Sequence, residues 1–236
     1  MKITSLKNDH VKYWVSLKEK KVRDLNKEFL IEGDHLIEEA KKLNLIKETI
    51  SINDSNCDYL ITREIMAKIS GQKSISENAA VVKFIPEDEV SGNILILDNI
   101  QDPGNLGTII RSAAAFNFMT IVLSNTSVDE YNPKVIRSTE GMIFHMNILR
   151  KNLVEYLPIL KEKGYSIIGT DVISGKNIKN IKKNHVCLVV GSEGQGISDE
   201  VRKLCDSFVN INMNNRCESL NVGVAASILM YEVYNE

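Results

Sequence analysis

The chain has no apolar run approaching the ~20 residues that a helix needs to cross a bilayer, and its opening, MKITSLKNDHVKYW, lacks the apolar centre of a secretory signal. Both absences point to the cytoplasm and away from a membrane partner. Cysteine is sparse. Cys57, Cys187, Cys205 and Cys217 form no CxxC pair, so in a reducing compartment they are most simply unpaired thiols. Histidine is equally sparse, and His10, His35, His145 and His185 are scattered without ligand spacing, which predicts no metal. The GxGxxG fingerprint and the GKS/T phosphate loop are both missing, which argues against a nucleotide-binding oxidoreductase. Net charge is only −2, a weak argument against nucleic acid as a partner.

What is present is ordinary in amount and uneven in arrangement. The 236 residues, 43% hydrophobic and 25% charged, suit one large soluble domain or two small ones. Residues 1–27 carry eight basic groups against three acidic ones. That excess fits a phosphate-contacting module, or simply a solvated helix face. The periodicity predicts a basic helix over 8–22, a strand at FLIEG, a helix over 34–43, a strand at IKETISI, a helix REIMAKIS capped by Thr62, and a strand at AAVVKFI closed by Pro86. The segment PEDEVSGN then reads as a linker, dividing a domain at 1–88 from one at 93–236.

Beyond the linker the pattern becomes regular. Strands at 94–98, 119–124, 165–170, 186–190 and 208–211 alternate with helices near 105–116, 133–140, 152–163, 198–204 and 219–234. Near-continuous apolar strands of this kind imply a parallel sheet covered on both faces, with ligands beyond the carboxyl ends of its strands.

Three loops at those ends are unusual. In LDNIQDPGNLGTIIRSAAAF, Asn105 can cap a helix, and Arg111 lies one turn beyond Gly107 and Thr108. An arginine among small helical residues needs an anionic partner, either a phosphate or carboxylate ligand or a structural salt bridge. In VVGSEGQGIS three glycines surround Glu193, which lets backbone approach a flat ligand. Ser192 stands one place too early for a hydrolase elbow, and Ser198 can cap the next helix. In INMNNRCESLNVGVAASILMYE a crowded polar loop runs straight into a small-residue helix, with Ser219 as a possible cap and Asn221 in its first turn.

NIQDPGNLGTIIRSAAAF, LVVGSEGQGIS and INMNNRCESLNVGVAASILMYE, in that order, resemble the three motifs of the SpoU (TrmH-type) RNA 2′-O-ribose methyltransferases of the SPOUT class, over about residues 93–234. The first 88 residues are similar to the ribosomal-protein-like RNA-binding domain that often precedes this catalytic domain. The resemblance implies an α/β fold whose parallel sheet ends in a C-terminal trefoil knot, a homodimer, RNA as substrate with ribosomal RNA favoured over transfer RNA, and S-adenosylmethionine as cofactor. Carried over by position, it implies Asn105, Arg111, Glu193, Ser219 and Asn221 as catalytic residues. It gives Thr170, Gly191, Gly196, Ile197, Ile211, Met213 and Leu220 to the cofactor. Two positions depart from the family pattern: Asn117 stands for the usual Gly after the first-motif helix, and Asn212 for a usual Pro in the cofactor loop. An arginine pKa above ~12 strains Arg111 as a base, so a phosphate oxygen of the RNA or Glu193 stands beside it as proton acceptor. An RNA-binding or ribosome-assembly protein with a degenerate site is the rival reading.

Overall fold

A computed structural model describes residues 1–71, 74–171, 175–178, 185–214 and 216–234. They fall into two compact units, Met1–Pro86 with Tyr131–Phe144, and Glu87–Glu130 with His145–Glu236.

The first unit opens with strand β1 (Lys2–Ile3) and helix α1 (Asp9–Ser16), whose N-cap Asn8 accepts the His10 N–H at 2.9 Å. The single helix expected over 8–22 is instead two, because α2 (Lys20–Asn26) starts afresh after Glu19. The buried Arg23 explains the break. Its Nη1 donates to the carbonyls of Leu17 and Lys18, both at 2.7 Å, satisfying acceptors that an interrupted helix leaves open. Then follow β2 (Glu28–Glu32), α3 (Asp34–Lys42), β3 (Ile46–Ser51), β4 (Tyr59–Ile61), α4 (Arg63–Ser70) and β5 (Asn78–Lys83). Thr62 caps α4 as its sequence position predicts, accepting the Ile65 N–H at 3.3 Å. The strands form one sheet in the order β1-β4-β3-β5-β2, with β5 antiparallel to both neighbours. Trp14, Leu17, Ile50, Ile65 and Ile69 fill the core on one side.

The second unit begins with β6 (Ile94–Leu97), α5 (Pro103–Ala115) and β7 (Thr120–Ser124). Sequence contiguity assigned all of 93–236 to this unit, whereas Tyr131–Phe144, carrying α6 (Pro133–Ser138), clusters with the first. Aromatic packing accounts for the difference. The Tyr131 ring stacks on Phe84 at 4.0 Å and lies 4.7 Å from Phe29, and its hydroxyl accepts the Ile85 N–H at 3.0 Å.

After this excursion come β8 (Asn147–Lys151), α7 (Leu153–Glu162), β9 (Ser166–Thr170), β10 (Lys176–Asn177), β11 (Val186–Val190), α8 (Asp199–Arg202), β12 (Ser207–Asn210) and α9 (Val222–Tyr234). Among the described residues the sheet has seven strands in the order β10-β12-β9-β11-β6-β7-β8, and every pairing is parallel. The all-parallel sheet agrees with the sequence expectation. The strands β8 and β10 were missed because NILRK and KN are too polar or too short to stand out. With all strands parallel, the ends of β6, β9, β11 and β12 emerge at one edge, where the three unusual loops begin. Among the described residues no helix is long and apolar enough to cross a membrane.

A chain begun at residue 89 therefore loses the partners of Tyr131, Ile136 and Phe144, and should bind a hydrophobic dye that the full chain does not. Equal dye fluorescence from the two forms would contradict the assignment of 131–144 to the first unit.

Candidate active site

Helix α5 is capped by Asp102, whose Oδ1 accepts the Asn105 N–H at 2.9 Å, and Pro103 sits in the first turn where no donor is needed. This corrects the expectation that Asn105 is the cap. Its carboxamide is thereby left free to reach across the site. At the far end Asn117 takes the left-handed conformation at φ 59°, and the Phe118 N–H bonds the Ala113 carbonyl at 2.9 Å, so the helix stops where the usual Gly would stop it.

Helix α9 starts at Val222, not at 219, and Asn221 is its cap: Oδ1 accepts the N–H groups of Gly223 at 3.0 Å and Val224 at 3.3 Å. Ser219 is accordingly not a cap. It lies in the preceding loop, among the residues that line a cavity. The two helices run parallel in a regular seam, in which Thr108 meets Gly223, Ser112 bonds Ser227 at 2.7 Å, and Phe116 meets Tyr231 edge-on at 5.5 Å. That seam brings Asn105 beside Asn221, and the Asn221 Nδ2 donates to Asn105 Oδ1 at 3.0 Å.

Both amides converge on Glu193. Its Oε1 accepts from Asn105 Nδ2 at 2.7 Å, Asn221 Nδ2 at 2.8 Å and the Val222 N–H at 3.4 Å. Its Oε2 accepts no hydrogen bond among the described residues. The carboxylate is carried on a loop folded onto itself by paired bonds between Ser192 and Gly196, at 2.9 and 3.0 Å. Only glycine fits at 191, where an added Cβ would come within 2.0 Å of the Gly196 carbonyl carbon. Ser198 closes the loop, but its hydroxyl does not cap α8 as expected. It and the Ser198 N–H both bond the buried carboxylate of Asp98, at 2.7 and 2.8 Å.

Behind Glu193 lies a cavity of about 360 Å³. Thr170, Gly191, Gly196, Ile197, Ile211, Met213 and Leu220 all line it, as do Glu193 and Ser219. Sequence reasoning missed Asp171 and Arg202, which also line it and form an ion pair, with the guanidinium 4.4 Å above the Phe208 ring. The hydrogen bond that Arg202 donates to Asp171 holds the arginine pKa above its usual value. No spacing links these two residues, since they meet only because β9 and β12 are neighbours. Arg111 is the expected residue that the cluster does not include. It is exposed, not buried among small residues as expected, and has no hydrogen bond or ion pair among the described residues.

Residues 92–231 match the SpoU rRNA Methylase family, and residues 8–83 match the MRM3-like substrate binding domain. The chain belongs to the SpoU family. Among SpoU relatives, the 23S rRNA (guanosine(2553)-2′-O)-methyltransferase RlmP of Bacillus subtilis is 35% identical, over 98% of both chains. A putative RNA methyltransferase of the TrmH family from Porphyromonas gingivalis has a TM-score of 0.87 at 29% identity, covering 97% of this chain and 98% of that one. An AdoMet-bound rRNA methyltransferase from Sinorhizobium meliloti shares the fold, with a TM-score of 0.90 at 24% identity, covering 99% of this chain and 97% of that one.

Gly191→Ala should destabilise this SpoU domain by about 1–3 kcal/mol through overpacking, read by urea unfolding. Gly194→Ala should be near neutral, since nothing lies within 4 Å of its added Cβ. Equal costs at the two positions would show that the loop does not close as described.

Proposed function

We propose that the chain is an S-adenosylmethionine-dependent RNA 2′-O-ribose methyltransferase, that ribosomal RNA is its substrate and the cytoplasm its place of work. The observation that carries this reading is the convergence of Asn105 from the first turn of α5, Asn221 from the cap of α9 and Glu193 from the loop after β11 beside one cavity. The name of the Bacillus subtilis relative supports it. Residues 1–88 are read as the RNA-binding domain and 93–236 as the catalytic one, with Tyr131–Phe144 lent to the first.

The cavity suits the cofactor on its own chemistry. Its apolar walls, Ile197, Ile211, Met213 and Leu220, can flank an adenine, and at Gly196 an added Cβ would stand in open space with nothing within 4 Å, so a side chain is absent where a ligand can approach the backbone. When bound, S-adenosylmethionine supplies an electrophilic methyl on a sulfonium. Asn105 and Asn221 hold Glu193 in place, and the unpartnered Oε2 accepts the proton of the ribose 2′-hydroxyl. Ser219 lines the wall of the same cavity and helps seat the ribose. Arg111 clamps an RNA phosphate, a role that its permanent charge suits and proton abstraction does not. The trefoil knot belongs to the same reading, and it is supported by the lining of one cavity by Gly191 and Gly196 together with Ile211, Met213 and Leu220.

Glu193→Gln preserves the acceptor for both amides but removes the base. It should lower kcat by about 10²–10⁴-fold while calorimetric binding of S-adenosylmethionine persists. An unchanged rate would remove Glu193 as base. The reaction itself is tested by mapping 2′-O-methyl sites in total RNA with and without the protein, and an identical map would refute it.

The active unit is read as a homodimer that shares its sites. Val224, Tyr231 and Tyr234 leave an apolar stripe exposed on α9, at 46%, 51% and 55%. One chain already joins Asn105 to Asn221, so motif one is not supplied to motif three wholly across an interface. Arg111 is different. Six residues beyond Asn105, it stands about 9 Å further along the helix and on another face, suited to a partner's site. Arg111→Ala and Asn221→Ala, each inactive, should together regain about a quarter of full activity once subunits exchange, because half the dimers are mixed and each has one intact site. No recovery despite proven exchange would confine each site to one chain.

A further inference from the structure

Beside motif one lies a loop that none of the motifs includes. Residues 125–130 follow β7, and four hydrogen bonds fasten them, together with Ser124 at the end of β7, to the bend that precedes α5. Ser124 Oγ accepts the Asn99 N–H at 2.9 Å, and Ser127 Oγ accepts the Ile100 N–H at 3.1 Å. The Val128 N–H donates to the Ile100 carbonyl at 2.7 Å, and Gln101 Nε2 donates to the Thr126 carbonyl at 2.7 Å. The bend includes Asn99 at φ 61°, a conformation that side chains seldom adopt without being held. Directly after it comes Asp102, which caps α5 and so sets where Asn105 stands.

The loop in turn is shaped by one side chain. Arg150 on β8 donates Nη1 to the carbonyls of Ser124 and Ser127, both at 2.9 Å, and Nη2 to the Val128 carbonyl at 2.8 Å, while it pairs with Glu130. Both members of the pair are largely buried, with side chains 19% and 14% exposed. Three carbonyls and a carboxylate around one planar fork is a geometry that an ammonium cannot reproduce.

We propose that Arg150 is a positioning residue for methyl transfer, bracing 125–130 against 99–101 so that Asn105 meets Glu193 in register. The inference rests on the reading of Asn105 and Glu193 as the reacting site. None of the hydrogen-bond partners of Arg150 among the described residues, Ser124, Ser127, Val128 and Glu130, lines the cavity, so its effect belongs to the chemical step and not to cofactor binding.

The test uses the full chain. Arg150→Lys should lower kcat about ten- to a hundredfold, the range expected for small misplacement of an aligned group, while the Kd for S-adenosylmethionine stays within about twofold. Ser127→Ala, which removes the acceptor for the Ile100 N–H together with the hydroxyl's bonds to Ser124 Oγ and the Leu97 carbonyl but leaves Arg150 in place, should show the same split more weakly, and it stands in should Arg150→Lys fold poorly. A kcat held within about twofold in these variants, or a cofactor affinity falling in step with kcat, would overturn the positioning role in favour of bulk stability. Asn105→Ala in the same assay separates the two layers. If it too leaves kcat unchanged, the site reading itself fails, whereas a large loss there beside normal Arg150→Lys activity sinks only the inference about Arg150.

Discussion

The second unit depends on one carboxylate oxygen that three donors share. Glu193 Oε1 receives Asn105, Asn221 and the Val222 N–H, so the loop after β11, the helix after β6 and the last helix are tied at a single atom. The tie requires each side to be pre-shaped. On the glutamate side the chain must fold back within six residues, which Gly191 permits because any Cβ there would overlap the Gly196 backbone. On the amide side both asparagines must have their carboxamides free. Asp102 relieves Asn105 of capping, and Asn221 caps with its oxygen while donating with its nitrogen.

Small residues make the approach possible. The α5 and α9 seam places Gly223 against Thr108 and Ser227 against Ser112, and larger residues at those positions would push the helices apart. An added Cβ at Gly223 would already stand 3.2 Å from Asn221 Oδ1. The same residues that let the helices pack thus keep the cap and the Asn221 amide in one place. What appears in sequence as a featureless small-residue helix is a spacing device.

Much of this was legible in the sequence because it is local. The apolar runs at ILIL, TIVL and VCLVV became the buried centre of the parallel sheet, and the glycines around Glu193 marked a close approach. The unreadable parts are those decided by partners distant in sequence. The break between α1 and α2 follows from Arg23 turning back onto two carbonyls, and periodicity cannot see that. Tyr131 leaves its own domain for Phe29 and Phe84, residues far away in the chain. Asp171 and Arg202 face each other only once strand order is known. The capping assignments erred by a few residues for a related reason, since Asp102 and Asn221 compete with Asn105 and Ser219 as caps and tertiary bonding decides the winner.

The charge pattern around the cavity also fits the kind of reaction proposed. A sulfonium loses its charge as the methyl departs, so a bare anion close to it would stabilise the bound state more than the transition state and slow the chemistry. The cavity avoids this. Asp171 is neutralised by Arg202, and the Glu193 charge is drawn toward three donors on one oxygen. In the proposed reaction Oε2 is the oxygen assigned to take the hydroxyl proton, while alignment is left to the amides and the helix seam. A site built for such a step therefore shows few free charges and many fixed dipoles, as this one does.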